Sequence, residues 1–188
     1  MQTILVAAGL ASRSGGTKLL LPYKGRPIIY HSLAASLEAG LPTTVVTGFK
    51  AEEVQEAIAP LHSDLVTVVH NSEYRLGQGS SVRAGVAALE HPSSFFIALA
   101  DMPTLKAKHY RALTAAFTGG ALRPRCQSQV GHPVLLEASF IPIILQQKGA
   151  FRMQELLAPY PLSYYDSSDE AYIRDVDTLA SYHRLIDS

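Results

Sequence analysis

Residues 95–100 read FFIALA, six apolar residues with no polar alternation, and Asp101 follows at once. A strand without alternation is buried on both faces, which fits a parallel sheet covered by helices and not a sheet with one wet face. Shorter β-rich runs at 3–8, 43–47 and 66–70 alternate with helical stretches at 27–39, 51–61, 80–89 and 107–117. This rhythm predicts an α/β fold, a Rossmann-like, doubly wound, mostly parallel sheet. After about residue 119 the rhythm changes to strands at 122–125 and 134–136, helices near 139–146 and 150–158, and a last helix over 178–186. With 188 residues, no linker and no internal repeat, one domain over 1–188 is expected.

The composition narrows the function. Sixteen basic residues balance sixteen acidic ones and the pI is about 7.1, which argues against nucleic acid as a partner. Charge is nevertheless segregated. Residues 1–37 carry Arg13, Lys18, Lys24 and Arg26 without an acid, and residues 102–136 carry Lys106, Lys108, Arg111, Arg123 and Arg125 without one. Such segments suit a small polyanionic ligand bound where they meet, although solvated basic faces would look the same. The single cysteine, Cys126, rules out an internal disulfide and suits a reducing compartment. With no targeting segment and no apolar run near ~20 residues, no membrane partner is expected and the chain reads as cytoplasmic.

Ligands of open parallel sheets bind beyond the carboxyl ends of the strands. The segment after the first strand runs Ala7-Ala8-Gly9-Leu10-Ala11-Ser12-Arg13-Ser14-Gly15-Gly16-Thr17-Lys18. Glycines turn backbone N–H groups towards an anion, and an Arg and a Lys add charge. The P-loop spacing is absent, since Ser14 stands where its second Gly should be. The G-x-G-x-x-G fingerprint also fails at Ala11, which disfavours a nicotinamide-dependent oxidoreductase.

Together with Lys18-Leu19, Leu21-Pro22 and Gly25-Arg26-Pro27, this loop resembles the nucleotidyltransferase signature of the MobA-like superfamily. Further matches follow in order: Asn71 with 77–85 (GQGSSVRAG), Ala100-Asp101-Met102-Pro103, Gly131-His132-Pro133 and Asp175-Val176-Asp177. The molybdenum cofactor cytidylyltransferase branch is the most similar, because Val6-Ala7-Ala8-Gly9 stands where the guanylyl branch carries Leu-Ala-Gly-Gly.

The resemblance implies a nucleotide-diphospho-sugar transferase type of fold. Residues up to about 118 would bind the nucleotide and 119–188 would form the acceptor side. It implies Mg²⁺ as cofactor, and an NTP, CTP by this branch, with a phosphorylated pterin as acceptor. A molybdoenzyme or its chaperone is the implied protein partner. Arg13, Lys18 and Asp101 would be catalytic. Arg13 would hold the β- and γ-phosphates, Lys18 would face the α-phosphate, and Asp101 would ligate the metal. Ala7, Ala8, Gly9, Gly15, Asn71, Gly79, Ser80 and Ser81 would line the nucleotide site, and His132 would bond the acceptor's phosphate.

Bland readings compete at several of these positions. Lys18 could be a solvated surface lysine, Asp101 a turn or cap residue before Pro103, and His132 a structural turn histidine. Ser80 could cap the helix that follows it. Asp175 and Asp177, two apart, share a face on extended backbone; Asp177 is either a second metal ligand or the cap of the last helix. The sequence also departs from the family. Gln147 and Phe151 stand where the cytidylyl branch has an acid and an Arg, with Arg152 one place late. These departures keep two alternatives open: a sugar- or alcohol-phosphate acceptor, and a nucleotide-binding accessory protein without transfer activity.

Overall fold

The computed structural model describes residues 1–9 and 18–187. From the N-terminus the strands are β1 (Gln2–Val6), β2 (Pro22–Tyr23), β3 (Arg26–Pro27), β4 (Thr43–Thr47), β5 (Val66–His70), β6 (Phe95–Leu99), β7 (Ala121–Cys126), β8 (Gln129–Val130), β9 (Val134–Leu136) and β10 (Leu162–Asp166). The helices are α1 (Ile28–Glu38), α2 (Ala51–Ile58), α3 (Gln78–Ala87), α4 (Ala107–Ala116), α5 (Phe140–Leu145), α6 (Met153–Leu157) and α7 (Leu179–Ile186).

The main sheet runs β10-β7-β9-β6-β1-β4-β5, with β8 hydrogen-bonded to β7. β1 pairs in parallel with β4 on one side and β6 on the other, so the chain reverses its winding direction at β1. That reversal sends the crossover helices to opposite faces. On one face Ile29 and Leu33 of α1, Val54 of α2, and Tyr110 and Leu113 of α4 pack on Leu5, Val45 and Phe96. On the other, Val82 and Val86 of α3, Ile144 of α5 and Leu157 of α6 pack on Ile4, Val46 and Ile97. β6 meets both layers, so its residues 95–98 are all buried. The doubly wound, mostly parallel sheet and single α/β domain therefore agree with the sequence reading.

Two local expectations need correction. Gln78 begins α3 two residues ahead of Ser80, and the Ser80 hydroxyl donates to the Gly77 carbonyl at 2.8 Å, so Ser80 lies inside the first turn and is not its cap. The last helix is capped by Thr178, whose hydroxyl accepts from Ser181 N, which removes the capping role considered for Asp177. β9 runs antiparallel to both neighbours. The β2–β3 hairpin and β8 had no forecast, nor did β10, which extends the sheet parallel to β7.

Candidate active site

The topology switch places the ends of β1 and β6 side by side, and a crevice opens beyond them. Ala7 and Gly9 leave β1, while Asp101 lies two residues past β6. Lys18 opens a 3-10 turn, Lys18–Leu20, packed against α1. Its ammonium donates to Asp101 Oδ2 at 2.5 Å and to Asp177 Oδ1 at 3.0 Å. The Val176 N–H donates to the Asp101 carbonyl at 2.9 Å, which brings the 175–177 segment to the same edge.

Electrostatics make this a charge-dense corner. Burial alone would lower the Lys18 pKa, but the charges and hydrogen bonds of Asp101 and Asp177 outweigh it and hold the ammonium above its ordinary value. Asp175 beside them is raised to about 6, by burial and by repulsion from Asp177 and Asp101. Asp101 caps no helix: one oxygen holds Lys18, and Oδ1 is buried with no hydrogen-bond partner among the described residues. Lys18 is correspondingly no solvated surface residue, its side chain being 15% exposed.

The cavity at this corner, about 380 Å³, is lined among others by Ala7, Gly9, Lys18, Tyr74, Ser81 and Asp177. Asn71, Ser80 and Gly79 take a supporting place around it. The Asn71 amide donates to the Ser80 and Ser81 hydroxyls, both at 3.0 Å, and ties the end of β5 to the first turn of α3. A Cβ at Gly79 would lie 2.2 Å from the Phe151 carbonyl oxygen, so only glycine lets that turn approach the 151 backbone so closely. Ala8 is buried in the core. Arg13 and Gly15 lie outside the described residues.

A second cavity, of about 590 Å³, adjoins the first at Gly77 and Gln78. Its walls include Ile97, Arg123, His132, Val134, Phe151 and Met153. His132 is thus in a different hollow from Lys18 and Asp101. Its backbone N–H donates to the Tyr172 carbonyl at 2.9 Å. A side chain at Gly131 would strike that same carbonyl, 2.0 Å from the ideal Cβ. Burial and the nearby Arg123 charge push the His132 imidazole down to about 4. Sequence reasoning did not single out Tyr74, Arg75 or Arg123; for Arg123 the only signal was its place in an acid-free basic stretch.

A lysine and two carboxylates thus meet at the switch point, where ligands of open parallel sheets bind. The comparisons agree. The MobA-like NTP transferase domain matches residues 3–167. The chain belongs to this family.

Among curated relatives, the molybdenum cofactor cytidylyltransferase of Escherichia coli K12 is 29% identical over 175 residues, covering 93% of this chain and 90% of that protein. A protein named nicotine blue oxidoreductase, from Paenarthrobacter nicotinovorans, is also 29% identical over 196 residues, covering 97% and 95%. Among solved structures, a Mycobacterium tuberculosis H37Rv protein superposes with a TM-score of 0.83 at 25% identity, covering 100% of this chain and 97% of that one. The chain is a nucleotidyltransferase of the MobA type, with the fold of the nucleotide-diphospho-sugar transferases. Among the described residues no helix is long and apolar enough to cross a membrane.

Proposed function

We propose that the protein is a Mg²⁺-dependent cytidylyltransferase that moves CMP from CTP onto the phosphate of a molybdopterin-type cofactor and releases pyrophosphate. An oxygen of the acceptor phosphate forms a bond to the α-phosphorus of CTP, and the bond from that phosphorus to the β-phosphate oxygen breaks. Both reactants are anions, so the protein's work is positioning and charge neutralisation. The observation that carries the reading is the Lys18 ammonium, held between Asp101 and Asp177 at the crevice beyond β1 and β6.

Lys18 binds the α-phosphate and offsets the charge that builds there. Arg13, from the preceding loop, holds the β- and γ-phosphates. Asn71 and Ser80 orient the first turn of α3, whose Ser81 faces the nucleotide cavity. Asp101 and Asp177 are the residues that would hold Mg²⁺, and the buried, unpartnered Asp101 Oδ1 is a donor atom suited to that hard cation. Among the described residues no group of three or more acidic, His or Cys side chains surrounds one point. One or two carboxylates completed by substrate phosphates is how Mg²⁺ is commonly held. When bound, the ion supplies charge neutralisation at the phosphates.

The part up to about residue 118 handles the nucleotide, and the part after it shapes the acceptor cavity, with Asp177 reaching back to the first site. The E. coli relative's name supports cytidylyl transfer to the molybdenum cofactor, and the Val6-Ala7-Ala8-Gly9 loop supports CTP. A molybdoenzyme or its chaperone would receive the product. The test is calorimetric titration with CTP, GTP, ATP and UTP, each with and without Mg²⁺. Mg²⁺-dependent binding selective for CTP is expected, and equal affinity for GTP would overturn the cytidylyl assignment.

A further inference from the structure

We propose that Arg75 binds a phosphate oxyanion of the nucleotide's triphosphate chain in the crevice beyond β1 and β6. This inference rests on the reading above, which gives that crevice to the nucleotide. Arg75 lines the same cavity as Lys18, Asp101, Asp175 and Asp177.

The charges of that cavity are poorly matched to an anion. Among its described lining residues Lys18 meets three carboxylates, and its ammonium already donates to two of them. A polyphosphate entering there is repelled unless further positive charge receives it. A divalent ion alone would be largely offset by the carboxylates that hold it. Arg75 is the other cation among these lining residues, and no acid pairs with it among the described residues. Arg83, Arg125 and Arg174, by contrast, are paired with Glu73, Asp166 and Glu170.

What orients Arg75 is an aromatic ring. Its guanidinium lies 5.3 Å from the ring centroid of Tyr74, within cation–π range. A carboxylate partner would cancel the charge, whereas a ring face steers the guanidinium and leaves its charge and N–H edges to a ligand. The ring is itself fixed. A Cβ at Gly48, just past β4, would lie 2.7 Å from the Tyr74 Cβ and 2.9 Å from its ring, so only glycine admits this packing. The backbone is braced as well. Arg75 sits in the 3-10 turn Tyr74–Leu76, where the Leu76 N–H donates to the Glu73 carbonyl at 2.9 Å and the Gly77 N–H to the Tyr74 carbonyl at 3.1 Å. The Glu73 N–H donates to Asn71 Oδ1 at 3.0 Å, so Asn71 ties this turn to the end of β5. Arg26 also lies over a tyrosine, Tyr30, but does not line the crevice. A planar fork held in place with its charge unspent suits the oxygens of a phosphate.

The probe is tripolyphosphate, titrated calorimetrically into the full chain with Mg²⁺, beside separate titrations with CTP and with phenyl phosphate. Arg75→Gln is expected to weaken tripolyphosphate and CTP binding by at least about tenfold, one strong charge-assisted contact. Arg75→Lys, which keeps the charge but not the planar fork, is expected to fall between Arg75→Gln and the wild type. Arg75 is exposed, so neither variant should lower the melting temperature, and thermal melts establish that both fold.

Unchanged tripolyphosphate binding in Arg75→Gln overturns the proposal. With CTP binding weakened, that result would place Arg75 at the nucleoside end; with only phenyl phosphate weakened, it would assign Arg75 to the acceptor. Wild-type affinity in Arg75→Lys overturns it too, because charge at a distance would then account for the effect. So does no tripolyphosphate binding by the wild type at millimolar concentration. Failure of the wild type to bind CTP overturns the nucleotidyl reading instead, while Arg75-dependent tripolyphosphate binding would still uphold the Arg75 contact.

Discussion

Lys18→Met and Asp101→Asn break the same contact from opposite sides, and the structure says they are not equivalent. The pair is 2.5 Å apart with side chains 15% and 13% exposed, so water screens it weakly. In Lys18→Met, Asp101 keeps its charge but loses its cation, and both its oxygens are left without a partner. Stranding a largely buried charge in this way is expected to cost ~3 kcal/mol. In Asp101→Asn, Lys18 still donates to Asp177 at 3.0 Å, a carboxylate 54% exposed, and the cost is expected to be ~1 kcal/mol. The double variant removes the stranded charge, so the two changes should be non-additive by ~2 kcal/mol.

Urea unfolding monitored by circular dichroism, with the slope held as a check on two-state behaviour, measures all four proteins. Pyrophosphate release measures turnover, which either single change should lower by ~10²–10³-fold through lost charge stabilisation. Equal stability costs, or additive ones, would refute the geometry. Full turnover in Asp101→Asn would refute its proposed place in the reaction.

Three further expectations follow from particular contacts. His132 in the folded chain is held near 4 against an ordinary 6.5. The unfolded chain therefore takes up a proton between these values that the folded chain refuses, and stability should fall as pH drops through that window, by at most ~3 kcal/mol. His132→Gln should flatten this part of the pH–stability curve; an unchanged curve would mean the ring is not desolvated. Gly131→Ala would drive a Cβ into the Tyr172 carbonyl, 2.0 Å away, and should cost ~1–3 kcal/mol while displacing His132, visible as a lower melting temperature. Asp169 receives Lys108, His109 and the Ala171 N–H, which hold its carboxyl well below the usual range. Asp169→Ala should cost ~1–2 kcal/mol at neutral pH, and in the wild type that contribution should disappear as acid protonates the carboxylate, a difference that urea midpoints at pH 7 and pH 3 would reveal.

The meeting of Lys18 with Asp101 was legible in the sequence where local chemistry is strong. Lys18 sits in a Gly/Ser loop after an apolar strand, and Asp101 directly follows the most apolar strand, so both were placed at strand ends before any contact was known. The β2–β3 hairpin was not legible, because two-residue strands leave no periodicity. β10 was not either: Leu162–Asp166, LSYYD, is half-exposed at the sheet edge and reads as readily as a loop. The cap that Ser80 could have formed does not exist, because Gly77 opens the turn and the hydroxyl folds back on the Gly77 carbonyl.

By itself the sequence determined the α/β class, the order of the main elements and the reaction family, because those rest on burial patterns and short motifs carried within single segments. The tertiary structure decided which charges meet. Asp177 is 159 residues from Lys18, and Arg123 and His132, which share a cavity wall, are separated in sequence by a turn and a short strand. Whether a charged side chain finds a counter-ion, as Lys18 does and Arg123 does not among the described residues, depends on how distant strands are laid side by side. No local pattern encodes that.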